Sequence, residues 1–445
     1  MARPSTPDLL RPIDHALSRI AEDDPEGSLR YAIPLAQREP TGALEAFVVG
    51  YALSLLSEPE LAGKALERAA LAAVTESNLP LALTAALVSK RVDAKASQAL
   101  LSRIARAFGR GSSLLGERRL APPNLPGASE SFKTIDDGVE RKDLVARARK
   151  LLDAAADIGE PAPRSLAPQP LFSSLAADDL ALFAATFKVR VYGAGAVVVE
   201  EGTVGSEAFI IARGELDVEK GALQPGLVAV HLARLGTGAL VGEMALLLRS
   251  PRAATVTAAR PSIVLVADKE ALDGVAERAP VVAQRFAEHC KRRMLDNLVR
   301  TSPLFHAATP AERPALVERF GIRTFEPGEK LARQGAPSDG LLLIASGEVS
   351  IVHKEGDDRT LVTRLGPGEV VGEVALVLRR PAIADAVAQS PTVCLFLPKE
   401  RFLELVRSHP KVFADLYEIA VRRDAEIESI SQEEAAVEGD DFVLV

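Results

Sequence analysis

The chain has 445 residues, of which 47% are hydrophobic and 26% are charged, as is typical of folded globular proteins rather than disordered chains. This length suggests about three domains, at roughly 150 residues each. Lys and Arg number 53 against 61 Asp and Glu, and the net charge of −8 argues against a dedicated nucleic-acid-binding protein. The only cysteines, Cys290 and Cys394, exclude a disulfide framework and a four-cysteine zinc site.

The sequence shows no pattern typical of a targeting or membrane segment. The start, MARPSTPDLL, lacks the charged and then apolar layout of a signal peptide. No run of about 18 uncharged apolar residues is present that would span a bilayer. We therefore expect a reduced, cytoplasmic chain without a membrane partner.

Residues 1–108 predict an α-helical interaction domain. Apolar residues recur at helical spacing, for example at Leu61, Ala65, Leu66 and Ala69, and short breaks carry capping or turn residues. We expect five or six antiparallel helices. Two interpretations stay open, because no strict repeat period is present: helical-hairpin repeats used for protein contacts, or a plain helical bundle.

Residues 109–165 predict a linker that contains one helix. Gly, Ser, Pro and Arg crowd together in GRGSSLLGERRLAPPNLPGASES, a composition typical of a flexible segment. The stretch KDLVARARKLLDAAAD at 142–157 predicts a helix. Prolines at 161, 163 and 168 end the linker.

A duplicated, strand-rich module follows, because the apolar period changes from helical to two. EGTVGSEAFIIARGELDV at 201–218 recurs as QGAPSDGLLLIASGEVSI at 334–351, and LGTGALVGEMALLLRSPRAATVTA at 235–258 recurs at 365–388. We name residues 166–300 module A and residues 301–432 module B. Each module ends in a predicted helix, and 433–445 form an acidic tail.

The segment from Val241 to Val256 carries the most chemical information. Gly242 follows a predicted strand and allows a close backbone approach, and the next residues favour a helical turn with free N–H groups. Glu243 can accept a hydrogen bond from a sugar hydroxyl. Arg252 can donate two hydrogen bonds to one phosphate. The combination suits a ligand with one phosphate and one ribose hydroxyl.

With this cassette, the sequence resembles the cyclic nucleotide-binding domain family. That family includes the regulatory subunits of cAMP-dependent protein kinase and bacterial cAMP receptor proteins. Its phosphate-binding cassette reads close to F-G-E-x-A-L…P-R-A-A-T-V, and this chain differs in having Val241 in place of Phe. The resemblance covers 166–432 and implies two jelly-roll β-barrels with flanking helices, in an α+β multidomain chain.

The resemblance also implies roles for individual residues. Glu243 would bind the ribose 2′-hydroxyl and Arg252 would neutralise the cyclic phosphate. The implied ligand-binding set is Gly242, Glu243, Met244, Ala245, Arg252, Ala253 and Ala254. Family members that prefer cGMP often carry Thr where this chain has Ala253, so cAMP is favoured over cGMP.

The helix predicted over 280–300 resembles the family's lid over the base. Its residues Val282, Phe286, Cys290 and Met294 form one apolar face. Phe286 is a candidate cap for the base, and packing against the barrel is the alternative. Closure of this helix would shift module B, because the helix leads directly into it.

Module B departs from the cassette. It keeps Gly372 and Glu373, but Ala382 stands at the position of Arg252 and Asp385 at that of Thr255. A buried phosphate without its charge partner costs on the order of 3–5 kcal/mol, or roughly two to three decades of affinity. We therefore expect a degenerate second site and a structural role for module B. Two interpretations stay open for the nearby Arg379 and Arg380: they reach into the site, or they are surface charges, as the alignment of Arg379 with Arg249 suggests.

The expected function is a non-catalytic cAMP receptor that controls a protein partner through the N-terminal helices or the linker. No metal-ligand spacing, P-loop or G-x-S-x-G motif is present, so we expect neither an enzyme nor a metal site. The stretch after module B is acidic and too short for a helix-turn-helix, so we do not expect it to bind DNA. Two alternatives stay open: a structural adaptor that no longer binds nucleotide, and a kinase-inhibitory subunit, because Arg118-Arg119-Leu120-Ala121 resembles the family's inhibitor segment.

Overall fold

The computed structural model describes most of the chain. The described residues are 11–37, 42–116, 132–154, 165–221, 229–248, 251–302, 305, 309, 316, 319–356 and 358–440. They divide into two compact units, Met1–Glu243 with Ala254–His289 and Met244–Ala253 with Cys290–Val445.

The N-terminal part is helical, as predicted, and consecutive helices contact one another. In the described part of residues 11–108 the helices are α1 Pro12–Ala21, α2 Pro25–Ala36, α3 Ala43–Leu55, α4 Pro59–Thr75, α5 Leu79–Ser89 and α6 Ala94–Phe108. Their starts follow from the sequence, because Asp24, Asn78 and Asp93 each accept a hydrogen bond from a backbone amide of the first turn. Residues of α5 are buried on every side, which makes it a central helix of the bundle.

Within the predicted linker, the described residues include the helix α7, Arg141–Ala154. Leu144 and Ala148 of α7 are buried, and α7 contacts α2 and α4. This helix therefore packs on the helical bundle. A 3-10 turn, Phe172–Ser174, and α8, Ala177–Ala184, precede module A. The inhibitor-like residues at 118–121 lie outside the described residues.

Module A is built from two antiparallel four-stranded sheets. Its strands are β1 Lys188–Tyr192, β2 Val197–Val199, β3 Glu207–Arg213, β4 Leu216–Lys220, β5 Val230–Leu235, β6 Leu240–Val241, β7 Thr255–Ala258 and β8 Ser262–Asp268. The sheet orders are β1-β8-β3-β6 and β2-β7-β4-β5. Inward residues of the two sheets, among them Phe209, Ile211 and Val264, form one apolar core. Helices α9 Glu243–Leu248, α10 Lys269–Arg278 and α11 Pro280–Thr301 accompany these strands.

Module B repeats this arrangement strand for strand. Its strands are β9 Gly321–Phe325, β10 Lys330–Ala332, β11 Gly340–Ser346, β12 Val349–Glu355, β13 Asp358–Leu365, β14 Val370–Val371, β15 Asp385–Ala388 and β16 Thr392–Pro398. The orders β9-β16-β11-β14 and β10-β15-β12-β13 match those of module A. The register shift of β3 at Ile211/Arg213 recurs in β11 at Ile344/Ser346. Each predicted jelly-roll is therefore present as two facing sheets rather than one closed barrel.

After β14, the described part of module B contains the helices α12 Glu373–Val377, α13 Lys399–Ser408 and α14 Pro410–Asp440. The helix α14 continues past residue 432, the predicted end of module B, so the predicted acidic tail is helical as far as Asp440. Residues 441–445 lie outside the described residues. Among the described helices, none is both long and apolar enough to cross a membrane.

A buried ion cluster joins the helical bundle to module A. The Asp14 side chain of α1 is fully buried, and its carboxylate pairs with the guanidinium groups of Arg213 and Arg260. Burial opposes ionisation of Asp14, but the two arginines hold its pKa below the usual value. The contact places a charged group of α1 at the end of β3, and α5 also contacts β3.

Candidate functional site

The first cassette begins where β6 ends. Gly242 has a φ of +78°, the left-handed region in which glycine is favoured, and α9 starts at the next residue. Glu243 is 7% exposed and Arg252 is 7% exposed. Acidic and basic side chains are rarely fully buried in folded proteins unless they are paired, and buried charged groups recur at functional sites. Their burial within this cassette makes both residues candidates for ligand binding.

The other residues of the first cassette differ in exposure. Ala245 is buried, Ala254 is half-buried and Ala253 is exposed. Met244 packs against the apolar core of the second compact unit, to which it belongs. The proposed ligand roles of these residues concern mainly their backbone amides and stay predictions.

The candidate base cap, Phe286, lies in an aromatic cluster. Its ring centroid is 6.0 Å from that of Phe183 in α8, in an edge-on arrangement, and Phe183 also contacts Phe172 and Phe187. Val282, Cys290 and Met294 of α11 are buried as well, which agrees with the predicted apolar face. The cap role of Phe286 stays a prediction, and this packing favours the alternative.

In module B the predicted second-site residues lie around one small cavity. Gly372, Glu373 and Ala382 all line it, together with Ile383 and residues of α14. Its volume of about 60 Å³ has room for a few water molecules, whereas pockets for organic ligands measure roughly 300–1,000 Å³. Gly372 adopts φ of +92°, and a Cβ there would lie 2.8 Å from the carbonyl oxygen of Gly340.

The Glu373 carboxylate has a partner within the chain. Arg423 of α14 donates from Nη1 to Glu373 Oε1 at 2.5 Å, and Glu373 is 2% exposed. Burial raises the pKa of Glu373 above its ordinary value, and the Arg423 guanidinium opposes that change. The acid that corresponds to Glu243 is therefore held by an arginine of the same module.

Asp385, at the position of Thr255, is also paired. Lys330 Nζ and Lys354 Nζ lie 2.7 and 2.6 Å from Asp385 Oδ2. The backbone N–H of Gln334 donates to Asp385 Oδ1 at 2.9 Å. Burial alone would raise the pKa of Asp385, but the two lysines and the amide bring it to about 2. The Asp385 carboxylate is consequently ionised, and the two lysines balance its charge within the sheet.

Sequence reasoning missed the partners of both acids. Lys330 stands in β10 where module A has Val197 in β2. Module B therefore has two opposite charges, Asp385 and Lys330, at positions where module A has two uncharged residues. Aligning the two modules would have revealed that exchange. Arg423 gave no signal, because it lies 50 residues from Glu373 in an ordinary helical pattern. Of the two arginines near the second site, Arg379 is exposed, which agrees with a surface charge, and Arg380 pairs with Asp424.

Replacing Asp385 by Asn is expected to lower the free energy of unfolding by about 2 kcal/mol near neutral pH. The reason is that folding lowers the pKa of Asp385 from 3.8 to about 2, and Asn cannot ionise. A lowered acid pKa stabilises the folded state above the unfolded pKa, and this contribution disappears as the pH falls towards 2. Denaturant titrations of the full chain from pH 7 to pH 3 should show the gap between wild type and variant shrinking. The exposed Asp339, paired with Arg323, supplies the control Asp339→Asn, for which we expect less than about 1 kcal/mol. A difference in unfolding free energy that stays constant with pH would contradict the lowered pKa of Asp385.

Within the described ranges, no cluster of three or more His, Cys, Asp or Glu side chains is arranged to hold a metal ion. Cys394 is buried in the module B core, which raises its thiol pKa to about 12 and makes it a poor nucleophile.

Comparisons with known proteins identify both strand-rich modules. The family model described as the cyclic nucleotide-binding domain matches residues 189–279 and 322–409. Two curated relatives, described as cAMP-dependent protein kinase regulatory subunits, come from Colletotrichum orbiculare and Hypocrea atroviridis; they are 31% identical over 214 residues and 30% identical over 217. The alignments cover 47% and 48% of this chain but 52% and 45% of the relatives, so the chain matches about half the length of each relative.

Among solved structures, the regulatory domain of Toxoplasma gondii PKA in co-crystal with cAMP is 24% identical. The match covers 57% of this chain and 92% of that one, with a TM-score of 0.28, too low to support a residue-level argument. The family match, however, falls on both sheet pairs described above and on both copies of the sequence repeat. Two stretches of the chain, 189–279 and 322–409, therefore match the cyclic nucleotide-binding domain, one in each module.

Proposed function

We propose that the chain is a non-catalytic cAMP receptor with one nucleotide site, in module A, that regulates a protein partner. The observation that carries this proposal is the burial of Glu243 and Arg252 in a cassette that matches the family in order and spacing. A degenerate module B supports a single site, since its counterpart of Arg252 is Ala382 and its cavity measures about 60 Å³.

The chemistry assigned to module A follows from its side chains. The Arg252 guanidinium would donate two parallel hydrogen bonds to the cyclic phosphate, a geometry that a lysine ammonium does not reproduce. The Glu243 carboxylate would accept from the ribose 2′-hydroxyl. Ala253 has no hydroxyl to bond a guanine, which favours cAMP over cGMP.

Isothermal titration of the full chain with cAMP and with cGMP tests the proposal. We expect one cAMP per chain and weaker binding of cGMP. Two equivalent cAMP sites would contradict the account of module B. Binding of neither nucleotide would favour the alternative, a structural adaptor whose modules keep the fold without a ligand.

A protein kinase catalytic subunit is the first partner to test. The support is the description of the relatives as kinase regulatory subunits, and the Arg118-Arg119-Leu120-Ala121 segment ahead of module A. Capture from a native lysate should retain a kinase with the wild-type chain and lose it with Arg118→Ala/Arg119→Ala. A partner that is retained by both proteins would instead favour docking through the N-terminal helices.

A further inference from the structure

We infer that α14 is a built-in occupant of the second site, so that module B is held closed by its own C-terminal helix without any ligand. The inference extends the proposed function, because it treats Glu373 as the counterpart of Glu243. Its evidence is independent of module A and comes from contacts within the second compact unit.

The main contact is a network around Arg423. Its Nη1 donates to Glu373 Oε1 and to the Val370 carbonyl oxygen, both at 2.5 Å, and its Nη2 donates to Glu369 Oε1 at 3.2 Å. These acceptors lie on β14, just before it and at the start of α12, which together form the floor of the cavity. One guanidinium thus joins α14 to the segment that a nucleotide ribose would need.

A second ion pair lies beside the first with the opposite polarity. Asp424, the next residue of α14, pairs with Arg380, which follows α12. The helix α14 therefore places a cation beside the acid at the start of α12, Glu373, and an anion beside the base that follows α12, Arg380. Such crossed pairs fix the position of α14 along α12, because sliding the helix would bring like charges together.

Apolar contacts complete the closure. Leu416 and Ala420 of α14 are fully buried in the core of the second unit, and Ile427, one turn beyond Arg423, is buried against the cavity. A nucleotide could enter only if α14 withdrew and gave up both ion pairs and this packing. Arg423 already bonds one oxygen of the Glu373 carboxylate, and the cavity of about 60 Å³ beside it is too small to admit a ribose.

We call the contacts of Arg423 and Asp424 that hold α14 on the second site the latch. Hydrogen exchange of the full chain without ligand tests it. Arg423→Met removes the guanidinium and keeps much of the apolar length, and the exposed neighbour supplies the control Arg422→Met. We expect exchange of backbone amides in α12 and in residues 412–427 to rise roughly tenfold to a hundredfold in Arg423→Met only, because Glu373 loses its charge partner. Equal exchange in the two variants would overturn the inference.

Titration with cAMP supplies a second test. Ala382→Arg and Asp385→Thr give module B the arginine and the threonine of the module A cassette, and Lys330→Val gives β10 the valine that module A has in β2. We expect this restored chain to keep the wild-type stoichiometry, and to gain one site only when Arg423→Met is added. A second site in the restored chain with Arg423 intact would overturn the latch. If the wild-type chain binds no cAMP, the proposed function fails, and the exchange comparison still decides the latch.

Discussion

Replacing Arg252 by Ala is expected to weaken cAMP binding by roughly two to three decades or more. The variant would leave a phosphate without its charge partner in a buried place, a cost on the order of 3–5 kcal/mol, and each 1.4 kcal/mol corresponds to about tenfold in affinity. Arg252→Lys should give a smaller loss, because it keeps the charge but not the two parallel hydrogen bonds. Isothermal titration of the full chain measures both losses.

Two controls keep this result interpretable. Arg252 is buried, so the melting temperature of each variant must be compared with wild type before an affinity loss is assigned to ligand contact. Arg278→Ala, on the exposed side of α10, removes an arginine of the same module and should bind cAMP as wild type does. Wild-type affinity in a well-folded Arg252→Ala protein would refute the proposed site.

The fold of the two modules could be predicted from the sequence because the cassette at 241–256 resembles that of a known family and the repeat extends this resemblance to the second copy. The duplicated segments at 201–218 and 334–351 predict the same element in each copy, and β3 and β11 pair with their neighbours in the same way, including the register shift. The candidate site in module A was also predictable. Its residues from Gly242 to Ala254 are contiguous, so a local motif contains all of them.

The features that sequence reasoning missed are ion pairs between distant residues. Arg423 lies 50 residues from Glu373, and Arg260 lies 246 residues from Asp14. A single charged residue on a helix is usually solvated, and nothing in its local pattern distinguishes a buried partner from a surface charge. Such pairs depend on how the elements pack, and a motif cannot encode that.

The Asp14 cluster gives the largest expected effect on stability. Asp14→Ala would leave the guanidiniums of Arg213 and Arg260 close together without the carboxylate that both contact, in a place where Asp14 itself is fully buried. Removing one partner of a buried pair costs about 3–5 kcal/mol, because the remaining charges stay desolvated. Denaturant unfolding of the full chain, followed by circular dichroism, should show this loss for Asp14→Ala.

A neighbouring acid provides the matched control. Glu22, just after α1, pairs with Arg19 at 3.3 Å, and both side chains are about half exposed. Glu22→Ala should therefore cost less than about 1 kcal/mol. Combining Asp14→Ala with Arg213→Met and Arg260→Met should recover part of the lost stability, since neutral apolar groups then replace the whole cluster.

The stability measured for Asp14→Ala would indicate how a signal leaves module A. The Asp14 cluster fixes α1 to the end of β3, the strand that pairs with β6 immediately before Gly242. If Asp14→Ala is as destabilising as expected, the helical bundle and module A behave as one folded body, and a partner that binds the helices would sense changes in the strands directly. Equal, small losses in Asp14→Ala and Glu22→Ala would contradict this coupling and leave the bundle as an independent domain.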